Sequence, residues 1–341
     1  MNNLKHEVKV GIIGFGYWGK TYFRALREID GVKVSYICDS NEKVRDIIPE
    51  SISFFNDPQK AIEDGDSDTV FIITPAESHK QIAIEALKNN LNIFVEKPAF
   101  LSKSDLNFVM SKKRPDTLLF PGHIYAYNDM VNSLVQELVG TGEAIYSITS
   151  TRMALGPIRT DVGCTWDLLP HDLTIIDLLG VGEPVSVSST AQYPLRLNHE
   201  DISNCNIEYS TGLVANVELS WIYPYKVRRT SITTSKSIYF FDETSKEIPL
   251  GIVPFKSNIS EEINKMAYNR VLGNEYVKKI DFEKTEPLKN MIKTFISAVD
   301  SDDRQADRRE IMRAKMIIST IEATLDSISK SGKKVNIKLN N

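Results

Sequence analysis

In the stretch WDLLPHDLTIID, residues 166–177, Asp167 and His171 stand four apart around Pro170. Residues four apart on a helix share a face, and an imidazole held near a carboxylate can take a proton from a substrate hydroxyl. A helix beginning near Leu168 would carry Pro170 in its first turn, where the missing N–H has no intrahelical partner to lose. The same residues also suit an acid at a helix start and a core histidine, so the rest of the chain has to decide. A second candidate is Glu96–Lys97 in NIFVEKP, at the end of a strand-like run. A lysine there can donate a hydrogen bond to a substrate oxygen, or lose its proton readily beside a cation; an ordinary surface pair before a turn proline is the alternative. A third is VKVGIIGFGYWGK, where Gly14, Gly16 and Gly19 form G-x-G-x-x-G between a strand and a helix. Such glycines permit a tight turn, close approach of a pyrophosphate and close helix packing, with the helix N-terminus facing the phosphates. Asp39 ends the next strand, where an acid accepts hydrogen bonds from an adenosine ribose and repels a 2'-phosphate. This favours NAD over NADP, although Ser40, Asn41, Lys43 and Arg45 stand nearby.

The elements that must position these groups fall into two patterns. From Val8 to about Phe120, the runs VKVGIIG, VKVSYIC, DTVFIIT, LNIFVEK and TLLF alternate with helical segments such as SHKQIAIEALKNN. That alternation predicts a doubly wound, mostly parallel sheet over residues 1–122. Over residues 123–341 a helix through NDMVNSLVQELVG leads into longer alternating runs, among them EAIYSITSTRMA, VSVSSTAQY, DISNCNIEYS, LVANVELSWIY and VRRTSITTS. These suit an α+β domain with a large open, mostly antiparallel sheet. Helices follow near PLKNMIKTFISAV and ADRREIMRAKMIISTIEATLDSIS, and KKVNIKL suits a last strand. The charged DSDDRQADRRE reads as a solvated loop and helix face.

With 341 residues, 42% hydrophobic and 25% charged, the chain has ordinary globular composition and length for about two domains. No run approaches a membrane span, and MNNLKHEVKV leads straight into a strand pattern instead of a leader's apolar core. A soluble, cytoplasmic protein is expected. Cys38, Cys164 and Cys205 are far apart without a C-x-x-C pair, which favours reduced thiols over disulfides or zinc. A formal net charge of -4 argues against nucleic acid as a partner while allowing a local basic pocket. Tyr127, Asn128, Arg152, Arg159, Lys226, Arg228 and Arg229 are candidates for such a pocket. Cations can hold a diphosphate, and aromatic faces can stack on sugars or bases.

Together, GFGYWGK, TPAESHKQIAIEALKNNLNIFVEKP and WDLLPHDLTIIDLLG resemble the Gfo/Idh/MocA oxidoreductases, over nearly the whole chain. More narrowly, YWGK, GHIYAYN, RMALGPIRTDVGCTWDLLPHDL and SWIYPYKVRR look like the branch concerned with nucleotide sugars, including UDP-N-acetylglucosamine 3-dehydrogenase-like proteins. The resemblance implies an NAD-dependent dehydrogenase in which Lys97, Asp167 and His171 meet over the nicotinamide ring. His171 would take the hydroxyl proton, Asp167 would support the imidazole, and Lys97 would polarise the oxygen that becomes a ketone, though Lys97 could equally be the main base. No metal is needed. It also implies cofactor contacts from Gly14, Gly16, Tyr17, Trp18, Gly19, Asp39, Thr74, Pro75, His79, Glu96 and Lys97, with packing or helix-start roles suiting His79 and His123 as well. The implied substrate is a nucleotide-linked sugar oxidised at C3, held by Tyr127, Asn128, Arg152, Arg159, Asp167, His171, Lys226 and Arg228. A free sugar or inositol, or a non-catalytic NAD-binding sensor, are the alternatives. A homodimer or homotetramer through the C-terminal sheet is implied too. Pro170 stands where glycine is frequent in the family, which leaves the geometry of the helix start open.

Overall fold

A computed structural model describes residues 4–159, 161–195, 198–255 and 277–339. The chain divides into two compact units, one of Met1–Tyr127 with Glu286–Ser319, the other of Asn128–Thr285 with Thr320–Asn341.

The first unit begins with the expected alternation: β1 (Val8–Ile13), α1 (Tyr17–Arg27), β2 (Val32–Cys38), β3 (Ser53–Phe55), α2 (Pro58–Asp64), β4 (Thr69–Ile72), α3 (Ala76–Lys88), β5 (Asn92–Val95), α4 (Lys103–Lys112) and β6 (Leu119–Pro121). The six strands form one sheet in the order β3-β2-β1-β4-β5-β6, every pair parallel. Strands covered on both faces need apolar residues at successive positions, and all four residues of β4 are buried. The order reverses between β1 and β4, which leaves a crevice at the carboxyl ends of the strands.

The second unit contains α5 (Asp129–Val139), β7 (Ile145–Leu155), α6 (Cys164–Leu178), β8 (Pro184–Gln192), β9 (Ile202–Tyr209), β10 (Val214–Ser220), β11 (Ile222–Thr234), β12 (Ser237–Asp242), β13 (Leu250–Pro254), β14 (Lys278–Lys279) and β15 (Val335–Asn336). Its nine-stranded sheet runs β14-β13-β12-β11-β7-β10-β9-β8-β15 and is antiparallel except where β10 meets β7. The expected last strand is β15, two residues long, against β8. Helix α6 lies on β9 and β10 with Leu169, Leu173 and Ile176 buried at helical spacing. The other face is polar: the register lines Ser231, Thr149, Asn216, Asn206 and Ser188 across five strands. Between Ile222 opposite Leu155 and Val227 opposite Met153, β11 bulges, leaving Tyr223 and Tyr225 exposed.

Two helices near the C-terminus, α7 (Pro287–Ser301) and α8 (Arg304–Ser329), alter the expected division at residue 122. Leu288, Met291, Ile292, Phe295 and Ile296 of α7 are buried in the core of the first unit. Phe295 packs on Phe71, Phe94 and Phe120 with ring centroids 5.4, 5.6 and 5.4 Å away. Each such burial contributes roughly 1.5–3 kcal/mol, so residues 286–319 belong with the parallel sheet despite their distance in sequence.

The charged stretch at residues 300–310 is a correction: it is not simply a solvated face, because Asp307 and Glu310 are buried. They are three apart on α8 and share one side of it. Asp307 pairs with Lys113 at 3.0 Å and accepts the Leu119 N–H at 2.9 Å. Glu310 meets His123 Nδ1 at 2.9 Å and accepts from Tyr127 Oη at 3.0 Å and Arg313 Nη1 at 2.6 Å. These partners offset the cost of taking the carboxylates out of water.

Candidate functional site

In the first unit, the loop between β1 and α1 is built around its glycines. Gly14 has φ +96°, and a Cβ on it would stand 2.6 Å from the Ile73 carbonyl oxygen. A Cβ on Gly19 would come within 2.1 Å of the Gly14 carbonyl oxygen, so only glycine lets α1 pack this close to the loop. At Gly16 a Cβ would meet nothing within 4 Å, which leaves open space in front of the backbone. This cradle at a helix N-terminus fits the diphosphate of a dinucleotide. Tyr17 and Trp18, in the first turn of α1, are both exposed and pack edge to face at 5.7 Å.

Asp39 follows β2 as expected and also ties the loop down: its Oδ2 accepts the Phe15 N–H at 2.7 Å and its Oδ1 accepts the Asn41 N–H at 2.9 Å. A carboxylate has lone pairs left for ribose hydroxyls after two such bonds.

The EKP segment follows β5, and the Lys97–Pro98 peptide is cis. Glu96 accepts a hydrogen bond from Tyr22 Oη at 3.0 Å, with Tyr22 fully buried on α1. Burial and the adjacent Glu96 push the Tyr22 hydroxyl well above its ordinary pKa, so it remains a donor. His79 is buried on α3, its Nδ1 at 3.1 Å from the Pro98 oxygen and its Nε2 at 2.8 Å from the Thr74 oxygen. It therefore braces the loops that carry Thr74–Pro75 and Lys97. Thr74 Oγ1 accepts from Ser78 Oγ at 2.6 Å.

In the second unit the helix carrying Asp167 and His171 starts earlier than the sequence suggests. Helix α6 begins at Cys164, so Pro170 sits in its second turn. The helix gives up the bond that an N–H at this position would make to Trp166. What starts it sooner is Glu200, 35 residues on from Thr165: its carbonyl accepts the Cys164 N–H at 2.9 Å, and its Oε1 accepts the Thr165 N–H at 3.0 Å. Glu200 is buried, and a Cβ on Gly163 would collide with its carboxylate at 2.2 Å. Glycine before the helix is what admits this cap.

Asp167 and His171 are both half-buried on α6. Asp167 Oδ1 accepts from Arg159 Nη1 at 3.3 Å, while Arg159 also pairs with Asp161. Next to His171, Asp172 is buried and accepts from Arg152 Nε at 2.8 Å, Arg152 Nη2 at 3.2 Å and Ser150 Oγ at 2.7 Å. This fixes α6 to β7. Such a helix can hold a proton acceptor in place while its neighbours carry the electrostatics.

The remaining expected binding residues are spread over both units. In the first unit, Tyr127 is bonded to Glu310 and burial pushes its hydroxyl pKa well up. In the second, Arg152 is only 4% exposed and committed to Asp172. Asn128 caps α5, accepting the Val131 N–H at 3.2 Å, and donates to Glu243, which also pairs with Arg228. Lys226 is exposed on the β11 bulge and Arg229 on the strand beyond it. Sequence reasoning missed Tyr22, Glu200 and Asp161, and it marked Asp172 beside His171 without giving it a role. Of the three that were missed, Asp161 carried a local signal, two residues from Arg159 in RTDVG.

Among the described residues there is no cluster of His, Cys, Asp or Glu that could hold a metal ion, and no helix long and apolar enough to cross a membrane. The three cysteines are free and buried.

A family model described as "Oxidoreductase family, NAD-binding Rossmann fold" matches residues 8–114, and one for the "GFO/IDH/MocA C-terminal domain" matches residues 146–239. The chain is 27% identical over 256 residues to scyllo-inositol 2-dehydrogenase (NAD(+)) of Bacillus subtilis, covering 69% of this chain and 74% of that protein. It is 22% identical over 333 residues to UDP-N-acetylglucosamine 3-dehydrogenase of Acidithiobacillus ferrooxidans, covering 94% of this chain and 99% of that one. The fold is similar, with a TM-score of 0.76 at 15% identity and 99% coverage of both chains, to the WlbA dehydrogenase from Bordetella pertussis in complex with NADH and UDP-GlcNAcA. With a glycine cradle after β1 in the first unit, an Asp–His helix in the second and the two family matches spanning most of both, the chain belongs to the Gfo/Idh/MocA family of NAD-dependent oxidoreductases.

Proposed function

We propose that the chain interconverts a secondary hydroxyl and a ketone on a nucleotide-linked sugar, at C3. The nicotinamide supplies one thing, an acceptor for the hydride that leaves the carbinol carbon. The chain's own residues deal with the proton and the oxygen. His171 takes the hydroxyl proton as the C–H bond breaks, Asp167 supports the imidazolium that results, and Lys97 donates to the oxygen as it becomes a carbonyl. Run backwards, the same groups reduce the ketone, with Lys97 and His171 both available to return the proton.

The observation that carries this reading is the Asp167–His171 spacing on a helix whose entry loop supplies Arg159. A pure sensor has no need of an acid–base pair braced in this way. The nucleotide-sugar assignment draws support from the 94% span of this chain matched by the UDP-N-acetylglucosamine 3-dehydrogenase, and from Arg228 and Lys226 as cations toward a diphosphate. The inositol reading draws support from the 27% identity to the Bacillus dehydrogenase. NAD is preferred to NADP because the Asp39 carboxylate directly follows β2, where a 2'-phosphate would meet like charge. A second copy of the chain is expected on the polar face of the nine-stranded sheet, which light scattering of the purified protein tests.

The deciding experiment measures NADH formation with UDP-sugars, dTDP-sugars, free sugars and inositols, with a ketone trap because oxidation can be uphill. Turnover confined to nucleotide sugars supports the proposal, and turnover of polyols alone moves the assignment to an inositol or sugar dehydrogenase. Tight NAD binding without turnover in either direction makes the protein a sensor.

A further inference from the structure

We infer that Arg159 is a positioning residue that holds Asp167 ionised and aimed, and that it does so as the middle of a three-membered clasp with Asp161. This rests on the reading of Asp167 and His171 as the acid–base pair. Arg159 Nε donates to Asp161 Oδ1 at 2.9 Å and Nη2 to Asp161 Oδ2 at 2.6 Å, a bidentate pair that fixes the plane of the guanidinium. Its remaining face is then directed: Nη1 donates to Asp167 Oδ1 at 3.3 Å. All three belong to the entrance of α6, two on the loop before it and one in its first turn. Their side chains are 27%, 16% and 18% exposed, enclosed enough to escape most solvent screening.

Burial works against the Arg159 charge, but Asp161 and Asp167 outweigh it and hold its pKa above the ordinary value. In return, the cation beside Asp167 favours its charged form, as does the start of α6. One cation between two carboxylates leaves a residual negative charge at the head of α6. That charge favours an imidazolium on His171, the species formed when it accepts the substrate proton. Other charged groups of this unit have partners of their own. Arg152 and Asp172 neutralise each other, Glu200 is spent on the helix start, and buried Asp201 accepts the Leu195 N–H. A lysine in place of Arg159 could not make the bidentate and the third contact together.

The clasp is tested first without any substrate, by carbon-13 NMR titration of Asp carboxylates in the full-length protein, with Asp167 assigned through Asp167→Asn. In Arg159→Ala the Asp167 midpoint is expected to rise by about one to two pH units, with smaller rises in Arg159→Lys and Asp161→Asn. If Arg159→Ala fails to fold, the other two variants decide. An unmoved Asp167 midpoint overturns the clasp whatever the substrate proves to be. The kinetic arm uses NAD with UDP-N-acetylglucosamine and with myo-inositol. Arg159→Ala should lower kcat, leave KM within about twofold and move the acid limb of kcat/KM upward, because two carboxylates without their cation favour the imidazolium form of the base His171, with partial recovery in Arg159→Lys. A raised KM for the UDP-sugar with an unmoved acid limb overturns the proposal in favour of direct substrate contact. Wild-type turnover by Asp167→Asn removes the acid–base reading instead, and the NMR result then stands as a statement about charge alone.

Discussion

The cradle after β1 and the helix that carries Asp167 and His171 do comparable work with different materials. The cradle is made of backbone: its shape depends on missing Cβ atoms at Gly14 and Gly19, and Asp39 ties it through a backbone N–H. The helix is made of side chains: Glu200 starts it, Asp172 with Arg152 and Ser150 fixes it, and Arg159 with Asp161 dresses its first turn. A backbone site fails all at once when a side chain is added. A side-chain site can be taken apart one interaction at a time, so each part has its own measurable share.

Four substitutions probe that contrast, in decreasing order of expected effect. His171→Asn should lower kcat by about 10²- to 10⁴-fold with NAD affinity unchanged, as a lost general base does; fluorescence titration of NAD beside steady-state kinetics checks both halves. Glu310→Gln should cost about 3 kcal/mol at neutral pH because it leaves His123 and Arg313 facing an uncharged group. It should also flatten the acid dependence of stability. Burial alone would raise the Glu310 pKa, but the His123 hydrogen bond and the Arg313 charge hold it below its ordinary value. A depressed folded-state value contributes stability that is full above the unfolded-state pKa, about 4.3, and lost as pH falls through the folded one. Thermal melts of wild type and variant from pH 7 to pH 3 should therefore converge on acidification, and parallel curves would contradict this. Gly19→Ala must push α1 from the loop, which should cost about 1–3 kcal/mol and weaken NAD binding more than tenfold while leaving α6 intact; equal NAD affinity would break the backbone account. Glu200→Ala should cost about 1 kcal/mol through the lost cap, visible as a small drop in melting temperature. Should it abolish folding, α6 depends on that cap far more than helix capping predicts.

The same contrast explains what could be read from the sequence. The parallel sheet was legible because buried strands and amphipathic helices alternate at regular lengths, and the cradle because glycine spacing is a local signal. Lys97, Asp167 and His171 could be singled out as residue types at telling positions, and their catalytic roles are the proposal made above. The groups around them were not, because each is half of a pair whose other half is remote: Thr165 with Glu200, Arg152 with Asp172, His123 with Glu310, which are 35, 20 and 187 positions apart. The charged run at residues 300–310 shows the cost. Without knowledge of Lys113, His123 and Tyr127, nothing separates Asp307 and Glu310 from the solvated charges beside them. The start of α6 misled for the same reason, since the proline is local and the cap is not.

The bulge in β11 sets a rule for how the chain can change in length. Five steps along β11, from Ile222 to Val227, face two along β7, from Leu155 to Met153. The surplus is odd, so the in-and-out alternation of side chains does not carry across the bulge and restarts beyond it. Insertions or deletions between Tyr223 and Lys226 can thus be absorbed without turning Ile232 out of the core, whereas one residue added between Thr230 and Ile232 would invert the rest of the strand. Variation in the length of this segment among related chains should be confined to those four positions.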